Sequence, residues 1–304
     1  MSLVRTAMLA CVMALLALLP TAAFADTKVT AKPSTQAPAP APAPAPAQDQ
    51  TEEKRKTLLA DATSAIQETQ SALKRLDEGK NQEALAALER ATGKLELILA
   101  RDPALKLAPA SVNVITVDLQ GGVDVVKAMR KEIGDSISAG RLQDARRLME
   151  NLASETVVSV SNIPLATYPA AIKQAAKLID DKKIDDAKRA LQTALNTQVV
   201  TETIIPLPIV NAETALKEAK TLAEKMDRKP EENSRLKASL ADARSQLERA
   251  EALGYGKKSD FDAFYQQLKE IDQKTADNKS GTGFFSKIEA SIADLMKSIQ
   301  PGKS

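Results

Sequence analysis

A serine, histidine and aspartate in relay, or a cysteine beside a histidine, would give an activated nucleophile. This chain has no histidine and one cysteine, Cys11. Zinc sites built from those two residue types are excluded with them, and no glycine-rich phosphate loop or dinucleotide fingerprint occurs. Lysine and carboxylate chemistry remains. A Ser-x-x-Lys spacing appears at Ser71/Lys74 and at Ser234/Lys237, but acyl enzymes using that pair also need a Lys-Thr-Gly motif, which is missing here. Both pairs lie in helix-periodic stretches, where such spacing arises by chance on a solvated face. Paired carboxylates could do acid–base work, yet with 40 acidic residues no single pair is informative. The chain is therefore not expected to be an enzyme, and no cofactor or metal is expected.

Two groups of residues could instead bind something. Arg101-Asp102-Pro103 could set an Arg-Asp pair at a ligand pocket. The plainer reading is that Pro103 stops a helix while Arg101 sits favourably at its negative end. Near the C-terminus, Phe284, Phe285, Ile288, Ile292 and Leu295 recur along one helix face, continued by Met296 and Ile299. That stripe could meet a membrane surface, a client protein or a second subunit, although such stripes more often pack on their own domain. Lys287 and Lys297 are balanced by Glu289 and Asp294, which counts against the membrane.

The elements that position these residues begin after an expected export signal. Arg5, the apolar run Ala7 to Leu19, Pro20 and the small-x-small pattern Ala23-Phe24-Ala25 predict cleavage after Ala25 and a periplasmic destination. Cleavage would remove Cys11 and Arg5, leaving 41 basic against 40 acidic residues and no thiol. Such a chain suits an oxidising compartment. Near-neutral charge gives no argument for nucleic acid. From 26 to 50 a proline- and alanine-rich segment favours polyproline II, as a stalk or as a loose tail.

From Thr51 onward the apolar residues recur at helical spacing, and one unit appears three times. Leu76 to Leu88, Ile137 to Met149 and Ile179 to Leu191 share an apolar start, a bend at Gly79, Gly140 or Lys182, an acidic residue at Glu83, Asp144 or Asp186, and an alanine at 84, 145 or 187. The pattern predicts helical hairpins: a left-handed residue ends the first helix, an acid favours the start of the second, and alanine allows close crossing. Offsets of 61 and 42 residues are too uneven for a regular solenoid. Beyond each hairpin lies a β-branched stretch, at 112–119, 156–163 and 198–205, read as three strands that meet in one small sheet or pair across a dimer. Prolines 109, 164, 206 and 208 should limit them. The expected fold is mainly α: helical hairpins packed as a bundle, with a small sheet of about three short strands. The expected division is 1–25 signal, 26–50 linker, 51–275 helical domain and 276–304 terminal amphipathic helix.

The phrases Gly93 to Pro109 and Ile163 to Ile172, with the hairpin order and the export signal, resemble the YfdX family of bacterial exported proteins over roughly Thr51 to Lys229. The resemblance implies a mainly helical periplasmic protein linked to acid, heat and other envelope stress, with no catalytic residues to carry over. The expected function is binding of client proteins by a homo-oligomer. The alternative is a small-molecule binder with an apolar pocket between hairpins.

Overall fold

The computed structural model describes residues 47–301, with side chains from Glu52 onward. The expected export signal and most of the alanine–proline segment lie outside the described residues. Among the described residues there are ten α-helices and one three-stranded antiparallel sheet, so the fold is mainly α. In chain order the elements are α1 (Ala47–Asp77), α2 (Asn81–Arg101), β1 (Leu107–Asp118), α3 (Val123–Ser138), α4 (Leu142–Glu150), β2 (Ser154–Pro164), α5 (Tyr168–Asp180), α6 (Ile184–Asn196), β3 (Val199–Pro206), α7 (Leu207–Glu224), α8 (Pro230–Leu253), α9 (Lys258–Thr275), a short 3-10 turn (Ala276–Asn278) and α10 (Ser286–Ser298).

The three sequence repeats are α1–α2, α3–α4 and α5–α6, and they bend in the same way. The residue at each corner is left-handed: Gly79 at φ 74°, Gly140 at 72° and Lys182 at 61°. Its N–H donates three residues back, to Leu76, Ile137 or Ile179, at 3.2, 3.0 and 2.9 Å. The next N–H reaches five residues back, Lys80 to Arg75, Arg141 to Ser136 and Lys183 to Leu178, at 2.8–2.9 Å. These paired bonds satisfy carbonyls that a helix end would leave bare. A side chain added at Gly79 or Gly140 would meet nothing within 4 Å. Glycine is therefore required there by the backbone angle, and Lys182 bears the same angle at a steric cost.

The chain divides into two compact units. One unit holds the described residues up to Ser111 together with Ser161–Val199; the other holds Val112–Val160 and Val200 onward. Each strand contributes residues to both. In the first unit α1 lies along α2, α5 along α6, and the hairpins pair crosswise, α1 on α6 and α2 on α5. Ala62, Ala65 and Ala72 of α1 and Ala84, Ala87 and Ala91 of α2 are all buried, so the helices approach along small side chains. Leu76, Leu88, Leu95, Ile98, Ile172, Ile179 and Leu191 fill the space between the hairpins, with Tyr168 buried among them.

In the second unit α7 lies along α8, with α9 packed on α8 and α10 on α9 and α7. Here the core is aromatic as well as aliphatic. Phe261 and Phe264 meet edge-to-face at 5.8 Å, and Phe285, Ile288, Ile292 and Leu295 pack in the same cluster. Buried Arg228 joins two helix ends: Nη1 donates to Ala223 O at 3.1 Å and Nη2 to Lys279 O at 2.7 Å and Thr275 O at 3.3 Å. Ala223 and Thr275 present carbonyls at the negative ends of α7 and α9, and Lys279 follows the 3-10 turn. Helix α7 starts at Leu207, because Pro208 fits a first turn and Ile209 is buried. Pro109 does not limit β1, which runs from Leu107; β1 is an outer strand, where a missing N–H is tolerated.

The repeated bend gives a direct test. Lys182→Gly should stabilise the protein by about 0.5–1 kcal/mol, and Gly140→Ala should destabilise it by about 1 kcal/mol, both measured by urea unfolding. A destabilising Lys182→Gly would contradict the account of the bend.

Candidate functional site

Arg101 and Asp102, adjacent in sequence, do not act as a pair. Helix α2 ends at Arg101, ahead of Pro103, and the exposed Asp102 carboxylate accepts from Ala104 N at 3.2 Å. Arg101 reaches across to α1, where Nη1 lies 2.6 Å from Asp61 Oδ2, while Lys94 Nζ lies 2.8 Å from Asp61 Oδ1. Asp61 is buried and both cations are largely exposed. Burial works against its carboxylate, but the hydrogen bonds and charges of Lys94 and Arg101 outweigh it and hold the group below the usual carboxylate range. This is a clasp between α1 and α2. Asp61 carries no sequence motif, and only the hairpin's pairing brings it to Arg101.

The terminal stripe is likewise internal. Phe285, Ile288, Ile292 and Leu295 are buried in the core of the second unit and present no binding surface. Phe284 is half-buried, with Lys274 Nζ over its ring at 5.7 Å. It borders an open groove lined by Glu270, Gln273, Lys274, Lys279 and Ser280, which is too charged to be the expected apolar pocket. No described helix is long and apolar enough to cross a membrane, and no cluster of three or more potential metal ligands occurs among the described residues.

The exposed apolar surface is elsewhere. Every residue from Ser111 to Asp118 of β1 is exposed, including Val112, Val114, Ile115 and Val117. Sheet order β1-β2-β3 makes β1 an outer strand. The Leu119 N–H donates to Ala153 O at 3.0 Å, and the Thr116 and Thr156 hydroxyls lie 2.9 Å apart. In that antiparallel register the N–H and C=O of Thr116 turn away from β2. The opposite edge is treated differently. Gln300 donates to Ile204 O and accepts from Ile204 N, both at 3.0 Å, so its side-chain amide covers β3 there.

A polar cluster fixes the far end of β1. Ser154 Oγ donates to Asp118 Oδ1 at 2.5 Å, Arg249 Nη2 donates to the same oxygen at 3.1 Å and also to Leu119 O, and Ser154 N donates to Tyr255 Oη at 2.9 Å. Burial, foremost, pushes the Tyr255 phenol far above its ordinary value, so it stays neutral. The cluster anchors a strand and holds no free nucleophile. Adjacent Val114 and Ile115 do put apolar groups on both faces of the strand, but that pattern also fits a strand buried on both sides, so sequence could not mark it as a surface.

Asp61 supplies a pH signature. Its folded pKa is depressed, so its contribution to stability is complete above the unfolded value of about 3.9 and is lost as pH falls through the lower folded value. Asp61→Asn should therefore cost about 1–2 kcal/mol at pH 7, discounted for its exposed partners. The difference from wild type should shrink as pH falls below the usual carboxylate range. Denaturant unfolding across pH checks this, and an equal loss at pH 7 and pH 2.5 would exclude the ion-pair account.

Residues 65–204 match the YfdX family, described as YfdX protein. Among solved structures, that of Salmonella Typhi YfdX is 13% identical, with a TM-score of 0.35, covering 49% of this chain and 92% of that one. No curated protein matches the chain. The stretch similar to the YfdX family, residues 65–204, takes in all three helical bends.

Proposed function

We propose that this is a non-catalytic protein of the bacterial envelope that binds other proteins, in a chaperone-like role under acid or heat stress, by taking extended client segments along β1. One observation carries the reading: β1 is an outer strand, exposed from Ser111 to Asp118, with apolar side chains on both faces and the Thr116 backbone groups turned outward. An uncovered edge of that length is a template for another chain. Strand addition uses the backbone for affinity and alternate side chains for selection, which suits varied clients. The site of action rests on the leader, from Arg5 through Ala23-Phe24-Ala25.

Acid would strengthen the effect. With no histidine, the charge hardly changes between pH 8 and 5; once carboxylates protonate, a chain cleaved after Ala25 approaches its 41 basic charges. Repulsion of that size loosens packed helices and exposes further apolar faces.

The test is suppression of aggregation of a heat-labile reporter enzyme at pH 7 and pH 4. Wild type should suppress at both, and more strongly at pH 4. Val114→Lys/Ile115→Lys, placing one charge on each face of an exposed strand, should need at least about fivefold more protein for equal protection, a loss of about 1 kcal/mol. No suppression by wild type at either pH, or a variant equal to wild type, would refute the proposal.

A further inference from the structure

We infer that the second hairpin, α3–α4, pairs with the α3–α4 hairpin of a second copy of this chain, forming a twofold dimer. The three copies of the motif differ in what covers them. At the end of the first helix stand Leu76, Ile137 and Ile179; Leu76 and Ile179 are 2% and 4% exposed, whereas Ile137 is 48% exposed. Twelve residues later stand Leu88, Met149 and Leu191, at 1%, 48% and 0%. Between them, Leu142 is 62% exposed, while its third-copy counterpart Ile184 packs against the core. The alanines at the crossing, Ala84, Ala145 and Ala187, are buried in all three. Each hairpin therefore closes its own inner seam. The second also rests on α8 through α3, where Arg130 Nη1 donates to Ala252 O at 2.9 Å, but that contact leaves Ile137, Leu142 and Met149 exposed.

What covers the equivalent face of the other two hairpins is visible within the same chain. The first and third hairpins cover each other, and they do so crosswise: the first helix of each lies on the second helix of the other, α1 on α6 and α2 on α5. That is the contact pattern of an isologous interface, in which each surface meets a copy of itself. Two second hairpins meeting the same way would place α3 on the partner's α4 and α4 on the partner's α3, and would bury Ile137, Leu142 and Met149 on both sides.

Charge opposes this pairing only weakly. Arg141 and Arg147 pair with Asp144, Arg146 with Glu150, and Lys131 with Asp135, all inside the hairpin. These groups leave one net positive charge per hairpin, Asp144 being shared by two arginines, so like-charge repulsion between two copies is small. The inference is independent of client binding at β1.

Sedimentation of the full chain at micromolar concentration tests it, with circular dichroism to confirm folding. Wild type should be a dimer or a larger even assembly. Ile137→Glu/Met149→Glu, both at exposed positions, should retain wild-type helicity and weaken self-association at least about 100-fold. In a Cys11→Ser background, Leu142→Cys should form an intermolecular disulfide on mild oxidation. Val114→Lys/Ile115→Lys should leave the assembly unchanged while impairing client protection, so the two proposals can fail separately. A monomeric wild type, or a hairpin variant that assembles like wild type, overturns the dimer.

Discussion

Two helices lie close together only where small side chains line their seam, and a tight bend is possible only where the backbone can turn left-handed. Both conditions are met three times in this chain, at Ala84, Ala145 and Ala187 and at Gly79, Gly140 and Lys182. The rest of the first unit follows from them. Once α1 and α2 meet along alanines, Leu76, Leu88 and Leu95 project to the outer side of the hairpin, and an equivalent surface on α5–α6 closes over them. The Asp61 clasp forms because that seam brings Lys94 and Arg101 alongside α1.

Much of this is legible in the sequence, because helical period and turn chemistry are local. The three hairpins, the three strands and the termination of α2 before Pro103 all have local signals. The partition into units is not local, since the strands carry the chain from one unit into the other and back, and no composition change marks Ser111, Ser161 or Val199. Burial is not local either. Phe285, Ile288, Ile292 and Leu295 have the spacing of a docking face, and the same spacing serves a helix packed into its own core, as here. Arg101 and Asp102 look like a pair because they are neighbours in sequence, yet a helix end points them to different partners.

The surfaces left open share a history in the fold. The strand β1 leads out of the first hairpin, and the second hairpin follows it. Its outer edge lacks the cover that Gln300 gives β3, and the hairpin after it lacks the cover that its sisters give each other. Exposed apolar surface of this kind is a recognised liability, and it is where both proposed contacts with other chains are placed. The polar groups gathered here, around Asp118 and around Asp61, are occupied in holding elements together.

The central claim is that copies one and three form a closed core while copy two waits for a partner. Native-state hydrogen exchange, followed residue by residue at two protein concentrations, tests it most directly. The account predicts that α1, α2, α5 and α6 are protected together and independently of concentration, whereas protection of α4 rises with concentration. Protection of α4 equal to that of α6 at high dilution would contradict it.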